Sequence, residues 1–175
     1  MRRALDALYL GSGILAGVFL ILIALLSLTQ IVGRLLGYAA YSFDEFAGFC
    51  MAASSFLGLT YTFRYNEHIR VSLLIDHIGG AGRHRMEIVC LAVTLFLIAF
   101  FAGFAIEMTW FSFKFGDVSQ GLVPVKLWIP QSGMAAGLVV FAIALLDDLV
   151  VVLRRGDPSY QQAVKSKHIA LSENI

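Results

Sequence analysis

Charge is scarce in this sequence. Of its 175 residues, 14% are Asp, Glu, Lys or Arg, where a soluble domain carries roughly a quarter. The net charge is +1, which gives no electrostatic footprint for nucleic acid. Cysteine is limited to Cys50 and Cys90, in no CxxC, CxxCH or zinc-type spacing. The four histidines, His68, His77, His84 and His168, all fall outside the apolar runs, so paired haem ligands inside a bundle are missing. HExxH, GxSxG and Walker A patterns are absent, and so are internal repeats and low-complexity segments. Neither a membrane protease nor an ATP-driven pump finds support, and no cofactor is expected.

What is present instead is apolar surface. Hydrophobic residues make up 59% of the chain and the mean hydropathy is +0.81. That excess is too large for one core and calls for lipid. A hydrocarbon layer about 30 Å thick needs roughly 20 apolar residues in a helix. Four charge-free runs meet or approach that length: Leu8–Val32, Phe46–Phe63, Ile88–Ile106 and Leu127–Leu146. Backbone groups left unpaired in lipid are costly, so each run reads as a helix. Period-two alternation is lacking, which argues against a β-barrel. The first run follows Met1-Arg2-Arg3 but is about twice as long as a signal peptide's apolar centre, so it reads as a retained span. The expectation is an all-α integral membrane four-helix bundle. Its membrane domain covers residues 1–155, with spans at 8–32, 46–63, 86–112 and 127–153, and a cytoplasmic tail follows at 156–175.

Local chemistry marks the helix starts. Ser42-Phe43-Asp44-Glu45 fits a capping box with Ser42 as N-cap, and both acids favour the positive end of a helix dipole. Pro124 precedes the fourth run and Pro130 falls in its first turns, where a missing N–H costs little. Between the second and third runs, Val71, Leu74, Ile75 and Ile78 recur at i, i+3, i+4 and i+7. That spacing predicts a short amphipathic helix at the membrane interface, ended by Gly79-Gly80.

Orientation follows from the basic residues. Ten Lys and Arg fall on the side that holds both termini and the 64–85 connection, and three fall on the other. The positive-inside rule then places both termini in the cytoplasm. Cys50 and Cys90 come to lie near opposite faces of the bilayer, too far apart for a disulfide.

Few ionisable groups remain to form a pathway. Glu87 and Glu107 bracket the third run, and Asp147 and Asp148 sit late in the fourth near Arg154 and Arg155. All read as interfacial and locally paired, with a proton or sodium site at Glu107 as the sharper alternative. Gly13…Gly17, Gly33…Gly37 and Gly133…Gly137 have GxxxG spacing, which suits close packing inside the bundle or against a partner. The third pair lies in the fourth run, whereas Gly33…Gly37 falls beyond its span and suits a turn. Arg34, Asp44 and Glu45 gather on the outer side, as an interfacial ion pair or as a docking surface.

In their order, Gln30-Ile31-Val32-Gly33-Arg34, Asp44-Glu45, Leu57-Gly58, Arg64, Glu67-His68-Ile69 and Asp76 resemble the small membrane subunit of tripartite ATP-independent periplasmic (TRAP) transporters. Ser119…Pro124…Trp128-Ile129-Pro130 is similar to that family's approach to its last helix. Phe43 stands where the family often has Trp, and neutral Phe46, Ala47 and Gly48 follow the acidic pair. The resemblance implies a non-catalytic subunit of the bacterial inner membrane. Its partners would be a large multi-span subunit holding substrate and sodium sites, and a periplasmic binding protein that delivers an organic acid. The residues it points to are Arg34, Asp44, Glu45, Arg64, Glu67 and His68. The competing expectation is a self-sufficient homo-oligomeric transporter or channel using Glu107 or Glu87, and a membrane enzyme or electron carrier is a third.

Overall fold

The computed structural model describes residues 2–37, 42–64 and 81–154. The chain folds into α1 (Arg2–Leu35), α2 (Phe43–Arg64), α3 (Ala81–Phe115) and α4 (Trp128–Leu153). All four are long and apolar enough to cross a membrane. The third is longer than its charge-free run. It continues past Glu107 through Trp110, Phe111 and Phe113 to Phe115, and closes with Gly116 at φ 69°. The stretch expected to form an amphipathic helix, together with Glu67, His68 and the tail beyond Arg154, lies outside the described residues.

The helices do not share burial equally. α2 and α4 pack together at the centre, α1 packs on α2, and α3 packs on α4. The neighbour order is therefore α1–α2–α4–α3, with α1 and α3 on the flanks. In consequence 39% of the apolar stretch of α4 is buried, against 11% for α1. α2 has the lowest mean hydropathy of the four, 1.3, yet sits inside. One of its polar groups is accommodated by a neighbouring helix: the buried Ser54 hydroxyl donates to the Ala16 carbonyl of α1 at 3.0 Å.

Small residues set the spacing. Gly137 of α4 faces the backbone of α2 so closely that an added Cβ would lie 2.6 Å from the Phe56 carbonyl carbon and 2.8 Å from the Leu57 nitrogen. One turn earlier, a Cβ on Gly133 would lie 3.2 Å from Ala53 Cβ. Ala102 and Ala105 of α3 meet Ala135 and Leu138 of α4 in a second close seam. Toward the end where α1 begins and α4 finishes, larger groups fill the space. Phe63, Leu91, Phe141, Leu145 and Val152 form a core in which the Phe63 and Phe141 rings stand edge to face at 5.5 Å.

The three glycine pairs thus have different uses. Gly133 and Gly137 pack α4 on α2, and Gly13 admits the Tyr61 ring against α1. Gly17 faces open space, and Gly37, at φ 78°, is the turn that ends α1. Pro130 sits in the first turn of α4 as expected. Both cysteines are free, Cys50 half-buried on α2 and Cys90 exposed on α3.

Gly137→Ala should force α2 and α4 apart, because the clashing atoms are backbone. A loss of about 1–3 kcal/mol is expected from such overpacking, read as a shifted midpoint of denaturant unfolding in detergent. Gly17→Ala, with nothing within 4 Å, should leave that midpoint unchanged.

Candidate functional site at the two ends of the bundle

The residues singled out from the sequence divide between the two ends of the helices. Arg34 is in the last turn of α1, and Asp44 and Glu45 are in the first turn of α2. Arg64 is in the last turn of α2, at the opposite end. The molecule therefore does not bring the set together as one site.

At the far end from the termini, residues 116–127 fold over the start of α2. Val118 bridges to Lys126, Ser119 N–H donates to the Val125 carbonyl at 2.7 Å, and Leu127 N–H donates to Asp117 at 3.0 Å. The Val125 N–H donates to the Ser119 hydroxyl at 3.1 Å. This internal bonding gives the loop a defined shape. Its tip touches α2 at two points: Val123 N–H donates to Ser42 Oγ at 3.2 Å, and the Glu45 carboxylate lies against Gly121 on the side a Cβ would occupy.

That contact alters the capping box expected at this helix start. Ser42 does precede the helix, and its carbonyl accepts from Phe46 N–H at 3.2 Å. Its side chain, however, serves the loop rather than the α2 backbone, and its φ is 65°. A left-handed conformation costs a non-glycine residue on the order of 1 kcal/mol, so it must be held by its surroundings, here the Val123 bond. The Glu45 Oε2 atom is buried beside Gly121 and has no hydrogen-bond partner among the described residues. Glu45 is in the first turn of α2, where the helix dipole favours an anion. Asp44 and Arg34 are exposed, and among the described residues no ion pair joins Arg34 to either acid. The expected tie between the first two helices at this end is replaced by the loop's contact with α2.

At the end that carries the termini, the tie between α1 and α2 does exist. Arg64 pairs with Asp6 and stacks over the Tyr9 ring at 4.8 Å from its centroid. Tyr9 is buried, and the charges of Asp147 and Asp148 on α4 also reach it. Asp148 is only 3% exposed, so it belongs to the packed face of α4 rather than to its surface. The sequence carries a signal for that burial. Phe141, Ala144, Leu145, Asp148 and Val152 recur at helical spacing, and all five are buried. Tyr9 and Gly121 are partners that nothing in the sequence singles out, while Ser42 and Asp148, conspicuous in the sequence, take other roles than a side-chain cap and a surface charge.

A family model for the DctQ component of tripartite ATP-independent periplasmic transporters matches residues 23–155. The chain belongs to this family. No curated protein and no solved structure matches it at a significant level. The DctQ match takes in Arg34, Asp44, Glu45 and Arg64 together with the 116–127 loop, and begins after Asp6 and Tyr9. The partners of Arg64 on α1 thus lie outside the matched stretch. Among the described residues, no group of three or more His, Cys, Asp or Glu could hold a metal ion.

Ser42→Ala removes the acceptor for Val123. Hydrogen exchange at the Val123 amide should rise about fivefold to tenfold, in keeping with a net hydrogen bond worth about 1 kcal/mol. Exchange at Ser119 and Leu127, bonded within the loop, should stay near the parent rate.

Proposed function

We propose that this chain is the non-catalytic small permease subunit of a sodium-coupled, binding-protein-dependent secondary transporter for an organic acid. In this reading it braces the large transport subunit in a bacterial inner membrane, with both termini cytoplasmic, and helps to dock the periplasmic binding protein. Membership of the DctQ family is the observation that carries it.

Physical features support the same reading. The seams between helices are lined by alanine, glycine, leucine and phenylalanine at close approach. Interiors packed in this way are stiff and transmit strain, which suits a brace. In the proposed orientation the 116–127 loop, with Asp44, Glu45 and Arg34 near it, faces the periplasm and forms the docking candidate. Arg64 then belongs to the cytoplasmic end. Its bonds to Asp6 and Tyr9 favour a structural role, and Glu67 and His68 follow it in the sequence as further candidates.

A self-sufficient transporter would instead need Glu107 or Glu87 on its pathway. In liposomes with an imposed sodium gradient, the chain alone should take up neither a labelled C4-dicarboxylate nor a labelled sialic acid. Uptake should require the large subunit and the binding protein as well. Sodium-driven uptake by the chain alone, abolished by Glu107→Gln or Glu87→Gln, would defeat the proposal.

A further inference from the structure

The two flanking helices expose different surfaces. α1 presents Ile14, Leu20, Ile21, Leu28 and Ile31, all aliphatic, and no charged residue lies between Leu8 and Val32. Such a face is chemically equivalent to the acyl chains around it. α3 presents an aromatic ridge. Phe96, Phe100, Phe104 and Phe111 are exposed, with Phe100 and Phe104 rings 4.7 Å apart and Phe96 and Phe100 rings 6.5 Å apart. At about 100° per residue, these four and Gly103 fall within a narrow arc centred near Glu107. The residues α3 buries, Leu91, Ala102 and Ala105, fall on the other side of the helix.

Glu107 itself is exposed, so its carboxylate points away from the rest of the chain. In the sequence it follows the charge-free run Ile88–Ile106 and falls inside the expected span 86–112. The structure places it eight residues before the end of α3 at Phe115, about 12 Å along the axis. Its level falls between the alanine seam formed by Ala102, Ala105, Ala135 and Leu138 and the Phe113–Trp128 ring contact at 5.6 Å, and therefore within the length of α4. Acidic groups at such depths almost always face protein or a polar cavity. One turn before it, Gly103 interrupts the ridge, with open space where a Cβ would stand. A notch beside a carboxylate, on a ridge of rigid rings, is a surface shaped for another protein helix.

We infer that this face of α3 is where the large transport subunit packs, presenting a helix with a basic or hydrogen-bond-donating side chain opposite Glu107. The inference rests on the small-subunit reading above and adds which helix carries the contact. Charge complementarity selects this occupant. Lipid tails offer no donor to a carboxylate. A second copy packed by a twofold axis along α3 would bring its own Glu107 against the first, and like charges repel. A donor-bearing helix of a different chain meets both requirements, and Gly103 lets its backbone come close.

The test uses the two full-length membrane subunits co-expressed and purified together. A benzophenone amino acid is placed at Phe100 or Phe104 on α3, and at Leu20 or Leu28 on α1. After irradiation, capture of the large subunit from the α3 positions should exceed that from the α1 positions at least tenfold. Equal yields, higher yields from α1, or capture mainly of a second copy of this chain would overturn the inference. Separately, Glu107→Lys should lower recovery of the large subunit at least tenfold at unchanged membrane level and helical content, whereas Glu107→Gln should keep most of it. Undiminished recovery with Glu107→Lys would count against the carboxylate's part. If the parent chain recovers no large subunit at all, the small-subunit reading itself fails. If the subunit is recovered but captured from α1, only the choice of helix fails.

Discussion

Where α4 crosses α2, two backbones come into direct contact at Gly137, with Phe56 and Leu57 on the other side. The remaining architecture depends on that approach. In lipid the hydrophobic effect gives helices little reason to associate, so packing contacts must hold them together. Dispersion is short-ranged, and a gap of even an ångström forfeits much of it. Glycine at 133 and 137 lets α2 and α4 close that gap and become the central pair. Once they are paired, α1 is left the outer side of α2 and α3 the outer side of α4. The flanks then expose most of their apolar surface, as components of a membrane assembly can.

The ends of the bundle are secured by different chemistry, in keeping with their surroundings. At the end with the termini, Arg64 reaches α1 through Asp6 and the face of Tyr9. Asp6 is about half exposed, so that pair contributes modestly. The stacking and the covered stem of Arg64 matter as much as its charge. At the other end, no helix-to-helix ion pair forms among the described residues. A short loop with its own hydrogen bonds settles on α2 through Ser42, Gly121 and Glu45. Gly121 leaves room there for the carboxylate, on the side where a side chain would stand.

Most of the transmembrane plan was legible in the sequence because the bilayer imposes a length and a hydropathy that can be counted. The four helices, the proline in the first turn of α4 and the turn at Gly37 were all readable from residue chemistry. What escaped was information carried between segments. The acidic cap at Ser42-Phe43-Asp44-Glu45 was recognised as a helix start. The acceptor on Ser42 was claimed by a loop some eighty residues away, and no local rule sees that competitor. The burial of Asp148 depends on the helix packed against its face, and four aromatic residues beyond Glu107 continue α3.

The position of Glu107 bears most on function. A carboxylate at the end of a span finds water and asks nothing of a partner. The same carboxylate two turns inside a helix, on the side turned away from its own bundle, has no counterpart among the described residues. Two polar groups of α2 and α4 behave differently. Ser54 is satisfied by the Ala16 carbonyl, and Asp148 is enclosed by the packed face of its helix. Ser54, Asp148 and Glu107 are thus of two kinds, the first two turned inward and serving the fold, the last turned outward and left for something else to meet. A subunit that worked alone would have reason to place its transport carboxylate in the first class. Placing Glu107 in the second, among exposed phenylalanines and beside an open glycine, is what a surface buried only on assembly requires.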